Sequence, residues 1–201
     1  MIITGQGQVI GNDRPASEDR PITAVNEIDL SGAFELTILV GQAPQLSIAG
    51  EENILAIIRT TVSGGRLDIS SDRSFTANQA IKITVGTPHL ARLTASGSNR
   101  IEGRNIDGSE FSVSLSGSNS ATLAGEVAAL TAHLDGSSRL SAARLSAASV
   151  NIRLAGSGDA SVDAREHIVA QIFGSGSIVV DGDPKDRQSQ VAGSGRITFS
   201  P

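Results

Sequence analysis

The chain has no cysteine, no tryptophan and no tyrosine, and five phenylalanines supply all of its aromatic content. Without cysteine there are no disulfides, no thiolate metal sites and no thiol nucleophiles, so the fold must stand on packing and backbone hydrogen bonds. Without Trp and Tyr it lacks the side chains that normally stack on sugar rings and nucleobases. Positive charge is also short: 16 Lys and Arg against 21 Asp and Glu leave a net charge of −5. An acidic chain this poor in aromatics is a poor nucleic-acid binder, and no nucleic-acid partner is expected. No apolar run approaches the roughly 20 residues of a membrane span. The content is nonetheless 39% hydrophobic and only 18% charged, too apolar for disorder. The 201 residues suit one domain or two small ones.

What the chain does have is a repeat. A Gly-Ser step recurs at Gly97, Gly117, Gly136, Gly156, Gly174 and Gly193, at intervals of 18–20 residues. Two, four and six positions before Gly117, Gly136, Gly156 and Gly174 the residues are apolar, as in Leu115, Val113 and Phe111 or Leu154, Ile152 and Val150. The positions between them are polar in Ser114, Ser112, His133, Thr131, Arg153, Asn151 and Gln171, with Val169 the exception. Period-two alternation sends side chains to opposite faces, so each segment is a strand with one buried face. Four positions after each Gly sit Ile101, Ala121, Leu140, Ala160, Ile178 and Ile197, where a second short strand returns. Gly occupies the corner as a structural turn residue because it tolerates positive φ. A unit this short cannot bury its apolar face alone and must stack on its neighbours about 4.8 Å away.

The pattern therefore predicts an all-β, single-stranded parallel β-helix with 18–20 residues per coil, right-handed by the usual rule for parallel crossovers. Its interior columns are Leu115, Leu134, Leu154, Ile172 and Val191 in one line, with Ile101, Ala121, Leu140, Ala160 and Ile178 in another. Residues 126–150 are rich in helix formers, and propensity alone would make them one helix. The turn at Gly136 in register with five others argues instead for strands. Upstream of Pro88 the repeat blurs, although residues 34–38, 45–48, 66–69 and 81–85 alternate cleanly. A short helix is expected near 53–60, capped by Asn53 and closing at Gly64-Gly65. We divide the chain into residues 1–87, a β-rich half that caps and starts the solenoid, and residues 88–201, the regular repeat, as one continuous unit.

Three segments carry a family resemblance: Gly5-Gln6-Gly7-Gln8-Val9, then Ile28-Asp29-Leu30-Ser31-Gly32-Ala33-Phe34-Glu35-Leu36-Thr37-Ile38, then Asn53 through Gly64-Gly65-Arg66-Leu67-Asp68-Ile69. With the serial Gly-Ser-Gly and Gly-Ser-Asn turns that follow, nearly the whole chain resembles the head GIN domain of auto-transporter adhesins. The resemblance implies a bacterial β-helical protein of the cell envelope, periplasmic or extracellular, with no catalytic motif. Members usually begin with an export signal, and Ile2 to Gly11 show neither a basic start nor an apolar stretch. The expectation is a signal removed ahead of residue 1, with a cytoplasmic location as the alternative.

No candidate constellation reaches catalytic specificity. His89, His133 and His167 fall at different points of the repeat, and none has a second His at ligand spacing. His133 and Arg153 share one outward position a coil apart. Asp181, Asp183 and Asp186 alternate in a Gly-containing loop and are weak metal candidates, because Lys185 sits among them and no distal bidentate Glu follows. Asp163 and Asp181 hold equal offsets in consecutive coils and form the one plausible glycosidase pair. Thr94, Thr122, Thr131 and Thr198 do not form one column. No cofactor is expected. The function expected is a non-enzymatic surface β-helix serving adhesion or scaffolding, whose ligand is a glycan or a protein. The alternative is a carbohydrate-active β-helical enzyme, a lyase or hydrolase. Self-association through the solenoid ends or faces is a further expectation, with Arg187 to Pro201 as the end to watch because Gln188, Ser189 and Gln190 are polar where earlier coils place core.

Overall fold

The computed structural model describes residues 7–200. Gly5, Gln6 and the rest of residues 1–6, part of the segment read for an export signal, lie outside the described residues, as does Pro201. The chain is a parallel β-solenoid whose coils each cross two sheets. One sheet holds the strands that enter the Gly turns and the other holds those that leave them.

Along the turn-entry sheet, Glu27–Gly32, Arg92–Gly97, residues 112–117, 129–136, 149–156 and 167–174, and Asp186–Gly193 lie side by side in parallel. Along the turn-exit sheet the order is Lys82–Thr87, Glu35–Val40, residues 100–104, 120–124, 139–142 and 159–163, Ser177–Asp181 and Arg196–Phe199. A short third zone pairs residues 106–108, 125–127 and 145–147. Residues 126–150 are extended on either side of the corner at residues 136–138, within Ser120–Gly136 and Arg139–Gly156. Pairing on both edges of every coil overrides their helix propensity.

The period-two pattern translates directly into burial. Leu115, Leu134, Leu154 and Ile172 stand in register and are buried, as are Ile101, Ala121, Leu140, Ala160 and Ile178. Val191 continues the first column in register but is 43% exposed, because among the described residues its strand is paired on one edge alone. Within the last coil, Gln188 and Gln190 register with the outward Val169 and Gln171, so these two glutamines do not occupy core positions. Arg187 and Ser189 do, opposite Ile168 and Ala170.

The Gly residues at the corners have φ between +82° and +141°. At Gly156 an added Cβ would lie 2.2 Å from the carbonyl oxygen of Gly136 in the coil before, so the stack requires glycine for space as well as for conformation. Two residues past each Gly, Asn99, Asn119 and Ser138 are buried and hydrogen-bonded from coil to coil. In later coils Gly158, Gly176 and Gly195 take this place.

Coils do not stack in chain order at the N-terminal end. Glu27–Gly32 lies between Arg92–Gly97 and Arg66–Ser71, and Gly32 is in register with Gly97 as a further corner. Residues 66–87 thus form the outer coil although they follow residues 27–40 in sequence. Beyond them, Ile58–Ser63 closes a hairpin on Arg66–Ser71 through Gly64 and Gly65, both at positive φ, as a tight two-residue turn demands. The helix is shorter than the 53–60 expected: it spans Glu52–Leu55, and Ile58–Ser63, rich in β-branched residues, becomes strand once Arg66–Ser71 offers it a partner. Asn53 is not the cap. It sits inside the helix, donates to the Ile10 carbonyl at 2.7 Å and accepts from the Asn12 N–H at 3.2 Å. Ile54 and Leu55 are buried, plugging this end of the core.

Glu51 is the pin that holds this cap together. Its carboxylate is buried and accepts the backbone N–H groups of Asp13 and Asn78, each at 2.8 Å. The Asp13 N–H leads, with those of Asn78 and Gln79 assisting, in holding its carboxyl below the usual range against the opposing effect of burial.

Candidate functional site

With the interior filled by aliphatic side chains, anything the protein recognises must meet its outer faces or its ends. Those faces are ladders, since each outward side chain has an in-register neighbour about 4.8 Å away on either side. The ladder next to the corner on the turn-exit sheet reads Lys82, Glu35, Arg100, Ser120, Arg139, Asp159, Ser177, Arg196. Opposite charges pair across coils, as Arg100 with Glu35 at 3.8 Å and Arg139 with Asp159 at 3.4 Å. The Ser177 hydroxyl, 2.7 Å from Asp159, is the main cause holding that carboxyl below its usual range, and Arg139 adds to it. The next ladder outward is rich in hydroxyls: Thr84, Thr37, Glu102, Thr122, Ser141, Ser161, Val179, Thr198. Thr122 and Thr198 therefore do share a column, while Thr94 and Thr131 lie on the turn-entry sheet.

Outward positions on the turn-entry sheet divide into two regions. Near the N-terminal end Arg66 reaches both Asp29 (3.0 Å) and Asp68 (2.9 Å), and Arg92 faces Glu27 at 3.7 Å. Toward the C-terminal end one file runs His133, Arg153, Gln171, Gln190 in register, so His133 and Arg153 are ladder neighbours. The Arg153 guanidinium lies 4.3 Å above the Phe173 ring of the next coil. No sequence pattern announced this pair, since Phe173 breaks an outward file of Ser, Asp and Ala and contacts Arg153 only through the stack.

Depressions in these faces are open and small. A hollow of about 450 Å³ at the N-terminal end is lined by Pro15, Ala16, Glu35, Ala49, Gln79 and Lys82 among others. Another, of about 240 Å³, touches Glu27, Arg92 and Glu110, where Glu27 and Arg92 already pair with each other.

Asp183 pairs with Arg187, and Asp186 lies 2.7 Å from His167 Nδ1. Asp181 is in register with Asp163, half-buried beside it on consecutive coils. Among the described residues no group of three or more His, Asp or Glu is placed to hold a metal ion. His89 stands apart, 3.9 Å from Asp107. No helix among the described residues is long and apolar enough to cross a membrane.

The C-terminal end carries its own device. Arg187 stands in the column of Phe111, Leu130, Val150 and Ile168, where a core residue would continue the stack. Its guanidinium lies over the Phe199 ring at 4.8 Å, donates to the Pro184 carbonyl at 2.8 Å and pairs with Asp183. An arginine thus lids the last coil with a charge where the inward file would otherwise be apolar.

Comparison with known proteins places this geometry. No curated protein sequence matches the chain. Among solved structures, an adhesin-named protein from Bacteroides fragilis superposes with a TM-score of 0.78 at 21% identity, covering 96% of this chain and all of that one. An adhesin-named structure from Parabacteroides merdae gives 0.64 at 16% identity, with 96% and 99% covered. One from Parabacteroides distasonis, titled a "Putative lipid binding protein", gives 0.58 at 23%, with 97% and 100% covered. At these identities the likeness shows the fold. The family model described as "Putative auto-transporter adhesin, head GIN domain" matches residues 24–184, and the chain belongs to that family.

Proposed function

We propose that the protein is a non-enzymatic adhesin-type surface protein of the bacterial envelope, whose outer sheet faces present a rigid array of polar side chains to a ligand, a glycan or a protein. The observation that carries this reading is the pairing of side chains into continuous outward ladders on a fully packed core. Such a surface is preorganised for recognition, and rigid presentation lowers the ordering cost of binding. Its open hollows offer no enclosed place for substrate, and their charges are largely spent on one another. The names carried by the structural relatives, adhesins in two cases, agree with this reading. A lipid-binding role finds less support here, because aliphatic side chains fill the interior. Residues 1–87 are assigned the task of starting and capping the solenoid, and residues 88–201 that of extending it.

Self-association forms a second part of the proposal, and the C-terminal end is its place. At the opposite end Arg20 donates to the carbonyls of Ile58 and Leu55, and beyond Lys82–Thr87 the turn-exit sheet continues antiparallel through Gln45–Glu51 to Pro15–Asp19, whose outermost strand Pro15 opens. Asp186–Gly193 is exposed along its whole length.

The test is cell fractionation with protease accessibility in the native bacterium, combined with binding of the purified protein to arrayed glycans and envelope proteins. Surface exposure with saturable binding is the expected outcome. Retention in the cytoplasm, or release of new reducing ends from a polysaccharide, would overturn the reading.

A further inference from the structure

The turn-entry sheet changes chemistry along the solenoid axis, and its C-terminal part differs from the rest of an acidic molecule. Its central file, His133, Arg153, Gln171 and Gln190, carries nitrogen donors in four consecutive coils, over about 14 Å. Asn151 and Gln188 stand in the file to one side, and Phe173 in the file to the other. The carboxylates on this area stand at its margins: Asp135, diagonal to Arg153, and Asp186, two residues before Gln188, 2.7 Å from His167 Nδ1. Among the described residues Arg153 forms no ion pair, and its guanidinium and the Phe173 ring fix each other. Gln171 Nε2 donates to Gln190 Oε1 at 3.4 Å, which aligns the two amides beside a hollow of about 200 Å³ lined by Val169, Gln171, Gln188 and Gln190.

We propose that this area, centred on Arg153 and Phe173, binds an anionic polysaccharide laid along the solenoid axis. The assignment rests on the reading of the outer faces as ligand-binding surfaces and names the ligand class. An unpaired guanidinium fork matches a carboxylate or sulfate group. Amides that both donate and accept match sugar hydroxyls. The half-buried Phe173 ring offers apolar surface to the C–H side of a pyranose. The chain as a whole carries a net charge of −5, whereas the acids of this area stand at its margins and Arg153 at its centre. An acidic peptide would satisfy the arginine alone: the strands that carry His133, Arg153 and Gln171 are paired on both edges, so an added strand finds a free ladder only beside Asp186–Gly193, away from Arg153.

The experiment is affinity electrophoresis and calorimetry with polygalacturonate, dextran and polyglutamate as probes, at low and high salt. The proteins are the wild type, Arg153→Gln, Phe173→Ala and, on the other sheet, Arg139→Gln. Wild type binds polygalacturonate in a salt-sensitive manner and ignores dextran. Arg153→Gln weakens binding roughly tenfold or more, as loss of a charged hydrogen bond should. Phe173→Ala weakens it severalfold, and Arg139→Gln leaves it unchanged. Thermal melts confirm folding of each variant. The assignment is overturned by absence of polygalacturonate binding, by full binding in Arg153→Gln, or by polyglutamate binding as tightly with the same dependence on Arg153. If Arg153→Gln keeps the affinity of wild type for its array ligands, this area is not the site and the adhesin reading survives. Cytoplasmic retention would remove the adhesin reading and leave the measured polyuronate affinity intact.

Discussion

Asn119 Oδ1 accepts two hydrogen bonds from Asn99 one coil away, from its backbone N–H at 3.0 Å and its side-chain Nδ2 at 2.9 Å. The ladder continues in both directions, since Phe34 N–H donates to Asn99 Oδ1 at 3.0 Å and Asn119 N–H donates to Ser138 Oγ at 3.3 Å. Each corner would otherwise bury an unpaired amide, so these side chains supply acceptors where the sheet ladder breaks to turn. Asn119→Ala strands two donors of Asn99 and is expected to cost about 1–3 kcal/mol. Asn119→Ser, which introduces the residue type already present at Ser138, should cost less. Urea unfolding of the two variants checks the order, and equal stability would contradict the ladder's role.

Glycines at positive φ separate into two kinds. Gly108 has φ +138° and nothing near its absent Cβ, whereas Gly156, at φ +125°, faces a carbonyl oxygen. Gly108→Ala should therefore lose only the strain of the conformation, about 1–3 kcal/mol. Gly156→Ala must also push two coils apart and should lose clearly more, with reduced soluble yield. Thermal denaturation of the pair measures the difference.

Glu51 gives the protein an acid-sensitive element. Its folded-state pKa lies below its unfolded value, so its contribution is present above about pH 4.5 and is lost as pH falls through the lowered folded value. Glu51→Gln should be destabilised at neutral pH, and its deficit relative to wild type should shrink steadily below pH 4.5. A deficit independent of pH would show that the carboxylate's charge does not hold the loops of Asp13 and Asn78.

Arg187 restrains the C-terminal end. An inward-pointing charge on an edge strand discourages further pairing. The substitution Arg187→Val would remove that charge and leave Ser189 and Val191 as the other inward residues of a fully exposed strand. Sedimentation velocity should then show concentration-dependent association stronger than in wild type, while Arg187→Lys should resemble wild type. Unchanged sedimentation of Arg187→Val would separate self-association from this edge.

Strand type, corner position and inward columns were legible in the sequence because alternation and spacing are local properties. Leu115, Leu134, Leu154 and Ile172 could be aligned by counting, and the structure has them in register. Counting failed at Gly32, which is also a corner, because residues 33–96 intervene between it and its partner Gly97. It failed again at Ile58, where a helical expectation met a β partner that only the Gly64-Gly65 hairpin supplies.

What the sequence by itself determined is the solenoid: a period of 18–20 residues with alternating apolar positions has no way to bury its core except by stacking on itself. Tertiary structure alone decided the order of the first coils, the pinning of the cap by Glu51, the lid of Arg187 on Phe199 and the meeting of Arg153 with Phe173. Those contacts join residues on different coils or at the solenoid's ends, where what covers a surface depends on which distant segment arrives, and no local period records that.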